Sequence, residues 1–190
     1  MPPKPKYTKE QIVAAALAVV SQKGTQALTA KELAQALRTS TTPIFTVFSS
    51  MQEVADAVNA AAMARFEAYA HKTGLDMPIF KQVGMQMILF AREEPQLYQL
   101  VFMSQNGAAK SFADIYARLG SVADECLHTI QSDYGLSSED ARALFEHSWI
   151  HTYGIATLCA TGMCNFTQEE ISGMLTKDFT AMITLLRKAD

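Results

Sequence analysis

Short hydroxyl side chains and cations cluster near the N-terminus of this 190-residue sequence. Serine and threonine hydroxyls reach phosphate oxygens and base edges in a DNA groove, and a threonine methyl can touch the methyl group of thymine. Cationic side chains beside them attract the phosphate backbone. The alternative interpretation is a polar cap and turn with a purely structural role. The hydroxyl residues are Thr39, Ser40, Thr41, Thr42 and Thr46, and the cations are Lys4, Lys6, Lys9 and Arg38.

The charge distribution favours the nucleic-acid interpretation. The whole chain has a formal net charge of −3. Residues 1–50 contain six lysines and arginines against Glu10 and Glu32, a local charge of +4, so the remaining residues carry −7. A basic segment joined to an acidic remainder is typical of a small DNA-binding domain attached to a regulatory domain.

Methionine and aromatic side chains are frequent between residue 80 and residue 153. Such a set is suited to lining an apolar ligand cavity with a few polar tips. For any single member, ordinary core packing is the better interpretation. The set contains Phe80, Met85, Met87, Phe90, Tyr98, Phe102, Met103, Phe112, Tyr116, Trp149 and Tyr153.

Metal binding and catalysis have little support in the sequence. His147 and His151 are four residues apart, which suits a metal ion on one helical face, but no third ligand accompanies them. We therefore expect these histidines to bond a ligand or the core, and we predict no metal site and no cofactor. A glycine-rich phosphate loop and a nucleophile elbow are both missing, so we do not expect an enzyme.

The cellular setting is predicted from composition. The chain is 49% hydrophobic and 18% charged, as in globular proteins, and no apolar run approaches the roughly 18–20 residues of a membrane span. The three cysteines form no zinc motif and are expected to be reduced thiols of a cytoplasmic protein. They are Cys126, Cys159 and Cys164.

Helix signals recur along the whole chain and position these residues. Four Ser/Thr-x-x-Glu/Gln patterns are typical of capping boxes, in which a hydroxyl accepts from a backbone amide and the acid or amide side chain reaches back. Apolar residues come after them at helical spacing, and strand-like alternation is missing. The sequence therefore predicts an all-α fold. The boxes begin at Thr8, Thr29, Ser50 and Thr167.

Nine helices are expected from these signals. Three short ones lie within residues 8–50, and a longer one runs from Ser50 to about Lys72. Another begins after Asp76-Met77-Pro78 and ends before Pro95. The remaining four are expected at about Pro95–Met103, at about Ala108–Asp133, and from Ser137 and Thr167 onward.

The second and third short helices are joined by the tight link Leu37-Arg38-Thr39-Ser40. This spacing is typical of a helix-turn-helix whose second helix enters the major groove. Over about residues 7–58 the sequence resembles the tetracycline-repressor family of transcriptional regulators. The matching residues are Ile12, Ala15, Ala16, Leu17, Gly24, Leu28, Thr29, Leu33, Ala34, Leu37, Ile44, Phe45, Phe48 and Ser49.

The resemblance implies an N-terminal three-helix helix-turn-helix DNA-binding domain over residues 1–50 and a C-terminal helical ligand-binding and dimerisation domain over residues 51–190. It favours a ligand cavity over an ordinary core, and Trp149–Leu158 is also similar to a C-terminal subtype with a Trp/His/Gly signature. The expected DNA-binding residues are Lys6, Thr29, Arg38, Thr39, Ser40, Thr41, Thr42, Phe45 and Thr46. The expected ligand-binding residues are Phe90, Tyr98, Phe102, Phe112, Tyr116, His147, Trp149, His151 and Tyr153.

Four positions depart from the family pattern. Arg38 stands where most members have glycine, and Val47 stands where they have histidine or tyrosine. Phe45 and Met51 replace a tyrosine and a lysine that bind phosphates. Losing phosphate contacts lowers the affinity for DNA and flattens its log–log salt dependence by about 0.9 per phosphate. We therefore expect a single DNA-binding domain to bind only modestly and to depend on dimerisation.

The last two helices carry apolar stripes that predict a helix-bundle seam. By resemblance, these helices pair with their copies across a two-fold axis into a homodimer; the alternative is that the stripes pack only within the monomer. The last helix contributes Ile171, Met174, Leu175, Phe179, Met182, Ile183 and Leu186. The helix before it contributes Leu144, Phe145, Ser148, Thr152, Ile155, Ala156 and Cys159.

These features together lead to a functional hypothesis. A dimer binds a near-palindromic DNA operator and blocks transcription, and a small apolar or amphipathic effector shifts the helix that begins near Ser50 and releases the DNA. The alternative is a helical ligand-binding or partner-binding protein whose helix-turn-helix has weak or no DNA binding.

Overall fold

The computed structural model describes residues 6–72, 77–104 and 109–188, and within these ranges the regular structure is helical, without strands. This confirms the all-α prediction. The predicted cation Lys4 lies outside the described residues. The α-helices are α1 (Lys9–Lys23), α2 (Ala30–Ala36), α3 (Thr42–Val47), α4 (Met51–Ala70), α5 (Ile79–Glu93), α6 (Pro95–Tyr98), α7 (Phe112–Leu119), α8 (Ser121–Tyr134), α9 (Ser138–Ala160) and α10 (Gln168–Leu186).

The chain forms two compact units. The N-terminal unit comprises Met1–Arg65 together with Glu94–Ser104, and the C-terminal unit comprises Phe66–Glu93 together with Gln105–Asp190. The boundary therefore falls inside α4, and the segment after α5 belongs to the N-terminal unit. The expected functional division at residue 50 stays a prediction, because compactness reports packing and not function.

Side-chain caps begin several helices as predicted. The Thr8 hydroxyl accepts from the Gln11 amide at 3.3 Å, and the Gln11 side chain accepts from the Thr8 amide at 2.9 Å. The box at Thr167 is also complete. At Thr29 only the hydroxyl bond forms, because the Glu32 carboxylate pairs with Lys23 instead.

The box predicted at Ser50 is displaced by one residue. The Ser50 hydroxyl accepts from the Glu53 amide at 3.2 Å, as expected. The Glu53 carboxylate, however, accepts from the amide and the hydroxyl of Ser49. These bonds lower the pKa of Glu53.

A Schellman turn joins α2 to α3. The Thr39 amide donates to the Ala34 carbonyl at 2.9 Å, and the Arg38 amide donates to the Gln35 carbonyl at 3.0 Å, which is the bond pair that defines this motif. Arg38 has φ 53 and is the one non-glycine residue with positive φ among those described. The Tyr7 hydroxyl donates to the Leu37 carbonyl at 2.7 Å and ties the N-terminal arm to the turn.

Helix α5 lies at the centre of the C-terminal unit and packs against α8, α9 and α10. Its residues from Gln82 to Ala91 are buried, apart from the half-buried Gly84. Apolar side chains on all sides of one helix indicate an interior helix. The bundle around α5 is therefore the core of this unit.

One long helix predicted for about Ala108–Asp133 is wrong. Ala108 lies outside the described residues, and the chain forms α7 and α8 with Gly120 between them. Gly120 has φ 50 and ψ −126, a conformation that only glycine adopts readily, so the helix breaks there.

The apolar stripes of α9 and α10 pack inside the unit. Leu144, Ser148 and Thr152 on α9 and Ile171 and Leu175 on α10 are buried without any partner chain. These residues therefore pack within the monomer, which was the alternative to a role in the dimer interface.

Replacing the strained residue at the Schellman turn is expected to stabilise the protein. Arg38→Gly removes a left-handed side-chain clash and should raise the free energy of unfolding by about 1 kcal/mol. Chemical denaturation measures this change. Arg38→Ala is the matched control, because alanine keeps the clash; equal gains in both variants would contradict the strain argument.

Candidate nucleic-acid interface and ligand cavity

The turn before α3 and the first part of α3 present a contiguous run of exposed side chains in the N-terminal unit. Arg38, Ser40, Thr41 and Thr42 are exposed, and Thr39 is half-buried. Pro43 stands in the first turn of α3, where a backbone amide has no helical partner. This surface has the residue types that contact DNA, at the end of the helix that would enter a groove.

Two exposed residues of α3, Phe45 and Thr46, differ in their hydrogen-bonding groups. Phe45 has 45% of its surface exposed and has no hydrogen-bonding group. The Thr46 hydroxyl donates to the Thr42 carbonyl at 3.0 Å. Ile44 and Phe48 are buried and anchor the helix. The exposed face of α3 therefore combines hydroxyls with one apolar ring.

The cations of the N-terminal unit differ in their partners. Lys9 lies 3.5 Å from the Glu53 carboxylate, and Lys23 pairs with Glu32. The Lys6 ammonium donates to the Thr39 hydroxyl at 3.2 Å. Within the described residues Lys6 and Arg38 enter no ion pair shorter than 4 Å. Both charges therefore stand at the turn without a neutralising acid.

A narrow apolar cavity lies within the C-terminal unit, with about 30 Å³ of space. A cavity of this size holds about two water molecules. Most of the lining atoms are apolar, so an aromatic ligand requires the surrounding side chains to move apart. The lining residues are Phe80, Lys81, Val83, Gly84 and Met87 of α5, Cys126 of α8, Phe145, Ser148, Trp149 and Thr152 of α9, and Leu175 and Phe179 of α10.

Trp149 is the expected ligand-binding residue that lines this cavity. Its ring stacks on Phe145 with centroids 6.0 Å apart and an interplanar angle of 13°. Because the chain has a single tryptophan, its fluorescence reports on the surroundings of this one side chain in the cavity wall. Sequence reasoning missed Ser148, Thr152 and Phe179 as lining residues; the spacing of Ser148 and Thr152 from Phe145 and Trp149 on one helical face was the available signal.

The other expected aromatic residues lie elsewhere. Phe90 is fully buried and packs against Tyr69 with ring centroids 5.2 Å apart. Tyr98 and Phe102 belong to the N-terminal unit and contact each other. The remaining three are Phe112 and Tyr116 of α7 and the half-buried Tyr153 of α9.

A hydrogen bond to Glu146 holds the Tyr116 side chain. The Tyr116 hydroxyl donates to Glu146 at 3.2 Å. Burial, with the charge of Glu146, raises the pKa of Tyr116 to about 12. The hydroxyl therefore stays protonated at neutral pH.

The two histidines meet a buried carboxylate. His147 Nε2 lies 3.1 Å and His151 Nδ1 3.8 Å from Asp178 Oδ1, while the Ser148 hydroxyl donates to Asp178 Oδ2 at 3.0 Å. This cluster joins α9 to α10. No group of three or more histidine, cysteine, aspartate or glutamate residues within 6–72, 77–104 and 109–188 has the geometry of a metal site.

Two family models match the chain. Residues 12–58 match bacterial regulatory proteins of the tetR family, and residues 80–180 match the tetracyclin repressor-like C-terminal domain. The second match alone covers more than half of the chain. The chain belongs to the TetR family. The resemblance predicted from residues 7–58 is thereby confirmed, and the family is one of DNA-binding transcription regulators and not of enzymes.

Solved TetR-family structures share the fold. A single-residue variant of TetR from Acinetobacter baumannii AYE, in complex with minocycline, superposes with a TM-score of 0.54 at 15% identity, covering 96% of each chain. A TetR-family transcriptional regulator from Mesorhizobium loti MAFF303099 has a TM-score of 0.58 at 15% identity, over 92% of this chain and 94% of that one. No curated protein sequence matches the chain.

These comparisons confirm the N-terminal helix-turn-helix and C-terminal helical domain of the predicted fold class. As a TetR-family member the chain is a transcriptional regulator. None of the described helices combines the length and apolar character that crossing a bilayer requires.

The cavity thiol of this TetR-family protein is expected to be unreactive in the native state. Burial, with a smaller effect of Glu125, raises the pKa of Cys126 to about 12 from 9. At pH 8 this leaves about a thousandth of the ordinary thiolate. In a Cys159→Ser/Cys164→Ser variant, which has Cys126 as its single thiol, labelling by a disulfide reagent should be slow before unfolding and complete in guanidinium. Rapid stoichiometric labelling of the native variant would contradict the burial.

Proposed function

We propose that the chain is a dimeric, ligand-responsive repressor that binds a near-palindromic operator through α2 and α3. The observation that carries this proposal is the exposed surface between Arg38 and Thr46, which presents hydroxyls, one apolar ring and a cation outside ion pairs at the turn of a helix-turn-helix. Its exposed residues are Arg38, Ser40, Thr41, Thr42, Phe45 and Thr46. Helix α3 would lie in the major groove. The hydroxyls near its N-terminus would then meet phosphates and base edges.

Phosphate binding falls to different residues here than in most of the family. Phe45 and Met51 have no group that donates to a phosphate oxygen. Arg38 and Lys6, both at the turn and outside ion pairs within the described ranges, supply cations in their place. Thr29 caps α2, with its hydroxyl 3.2 Å from the Glu32 amide.

The proposed dimer uses outward surfaces of α9 and α10. Ile150 of α9 and Leu185 of α10 are 62% and 63% exposed, so each of the last two helices has a large apolar side chain facing outward. Around Ile150, the exposed residues of α9 recur at spacings of four, three and four: Ala143, His147, Ile150 and Gly154. The small residues allow a second helix to approach closely. A two-fold dimer then places two heads about 34–36 Å apart, one DNA turn.

Effector binding is proposed to act through two continuous chain connections. Helix α4 begins in the N-terminal unit and ends in the C-terminal unit. Helix α5 lines the cavity, and α6, the next helix along the chain, packs on α1. A ligand that widens the cavity displaces α5 and so biases α4 and α6. Release of DNA requires only that the ligand bind the two states with different affinity, typically by about 1–3 kcal/mol.

Operator binding should be tight, specific and dependent on salt. We expect the purified protein to bind duplex DNA from immediately upstream of its own gene and not a scrambled duplex, measured by fluorescence anisotropy at several salt concentrations. Arg38→Ala and Lys6→Ala should each flatten the log–log salt slope by about 1.8, because a dimer loses two phosphate contacts.

The control for this measurement is Lys110→Ala, which removes one exposed charge from the C-terminal unit and should leave the slope unchanged. Equal, weak binding to both duplexes would contradict the proposal. It would favour the alternative, a ligand- or partner-binding protein whose helix-turn-helix has weak or no DNA binding.

The oligomeric state tests the proposed dimer surface. Ile150→Glu and Leu185→Glu each place a charge in an apolar interface and should convert the dimer to monomers with unchanged helicity, as measured by light scattering and circular dichroism. Met103→Glu changes an exposed methionine of the N-terminal unit and should remain dimeric. A persistent dimer in both α9 and α10 variants would place the interface elsewhere.

A further inference from the structure

The described lining of the cavity in the C-terminal unit is almost entirely uncharged and includes a single cation. Its described lining is aromatic and aliphatic, with Phe145 and Trp149 forming one stacked wall. Lys81 is the one lining residue with a charge. No carboxylate is among the lining residues, so a cationic ligand would find no counter-charge there.

Lys81 lines the cavity and is itself half-buried. It donates to the Thr176 hydroxyl at 2.7 Å, and both residues are at least partly exposed. Within the described residues Lys81 makes no ion pair shorter than 4 Å. A neutral hydroxyl is a weaker partner for an ammonium than a carboxylate, which forms a charge-assisted hydrogen bond.

The polar groups deeper in the wall do not provide a second cation. The Ser148 hydroxyl donates to Asp178 and so offers the cavity only its lone pairs. Asp178 is itself not a lining residue. Among the described lining residues, Lys81 therefore has the one charge that can pair with an anion, and the rest of the lining suits an apolar group.

We propose that this cavity binds a monoanionic amphipath, an aromatic carboxylate whose ring packs against Phe145 and Trp149 and whose carboxylate replaces Thr176 as the acceptor of the Lys81 ammonium. This inference rests on the proposed function, since it names the class of effector. Met87, an unbranched side chain in the wall, and Lys81 itself have the rotamer freedom to widen the cavity.

Three probes of one shape and different charge test the inference: 4-propylbenzoate, 4-propylbenzyl alcohol and 4-propylbenzylamine. Each is titrated at neutral pH while the emission of Trp149 is followed. The benzoate should bind about tenfold more tightly than the alcohol, the value for one partly exposed charged hydrogen bond, and the amine should bind most weakly.

Variants of the cation identify its source. Lys81→Met should abolish the tenfold preference for the benzoate, Lys81→Arg should keep it, and the exposed control Lys110→Met should leave it unchanged. Thermal melts establish that each variant is folded. The readout for Lys81→Met is the ratio of the benzoate and alcohol affinities, which a general loss of packing would not change.

Several outcomes would overturn the inference. Equal binding of benzoate and alcohol, or a preference that survives Lys81→Met, excludes an anion site at Lys81. Tightest binding of the amine indicates an aromatic cation site instead. If no probe changes the Trp149 emission, the cavity does not take such ligands. Operator binding, measured separately without ligand, shows whether the proposed function fails as well.

Discussion

Burial of α5 on nearly all of its sides is the constraint on which the C-terminal unit depends. An interior helix must offer apolar surface to every neighbour, and α5 does so against α8, α9 and α10. Where three neighbours meet one helix, perfect filling is difficult, and the cavity lies at this meeting point. Gly84 faces Thr152 and Leu175 at this point, and a Cβ there would make ordinary van der Waals contact with both side chains. The cavity is thus a consequence of the packing that stabilises the unit.

The N-terminal unit depends in turn on residues 94–104, the segment immediately after α5. Glu94 accepts from the Ser21 hydroxyl at 3.1 Å and pairs with Arg65, so the first residue of this segment fixes two helices of the helix-turn-helix unit. Gln96 lies against Gly24, where a Cβ would meet its Oε1 at 2.7 Å. Gln96 could rotate away from a Cβ, so the reason for glycine at this position is its φ of +81. Residues 94–104 thus complete the packing of the N-terminal unit, and they follow directly after α5 in the chain.

Local signals predicted the helices well because capping and apolar spacing act within a few residues. The turn at Arg38 could also be predicted, since the length of the link between the two helices and its residue types determine it. The break at Gly120 was not, because an isolated glycine is often tolerated within a helix. The cavity lining was the least predictable feature. It depends on which face of α9 turns toward α5, and a uniformly apolar helix such as α5 gives no facial signal of its own.

At Arg38 a strained backbone coincides with a proposed DNA contact. Its left-handed backbone disfavours any side chain, and the bonds from Arg38, Thr39 and Tyr7 around the turn hold the conformation despite that cost. Glycine would fit the turn better but would remove the cation. Phe45 and Met51 have no group that donates to a phosphate oxygen, so the proposed binding of DNA depends more strongly on a charge at the turn. The residue that strains the turn is therefore also the residue whose charge we propose attracts DNA.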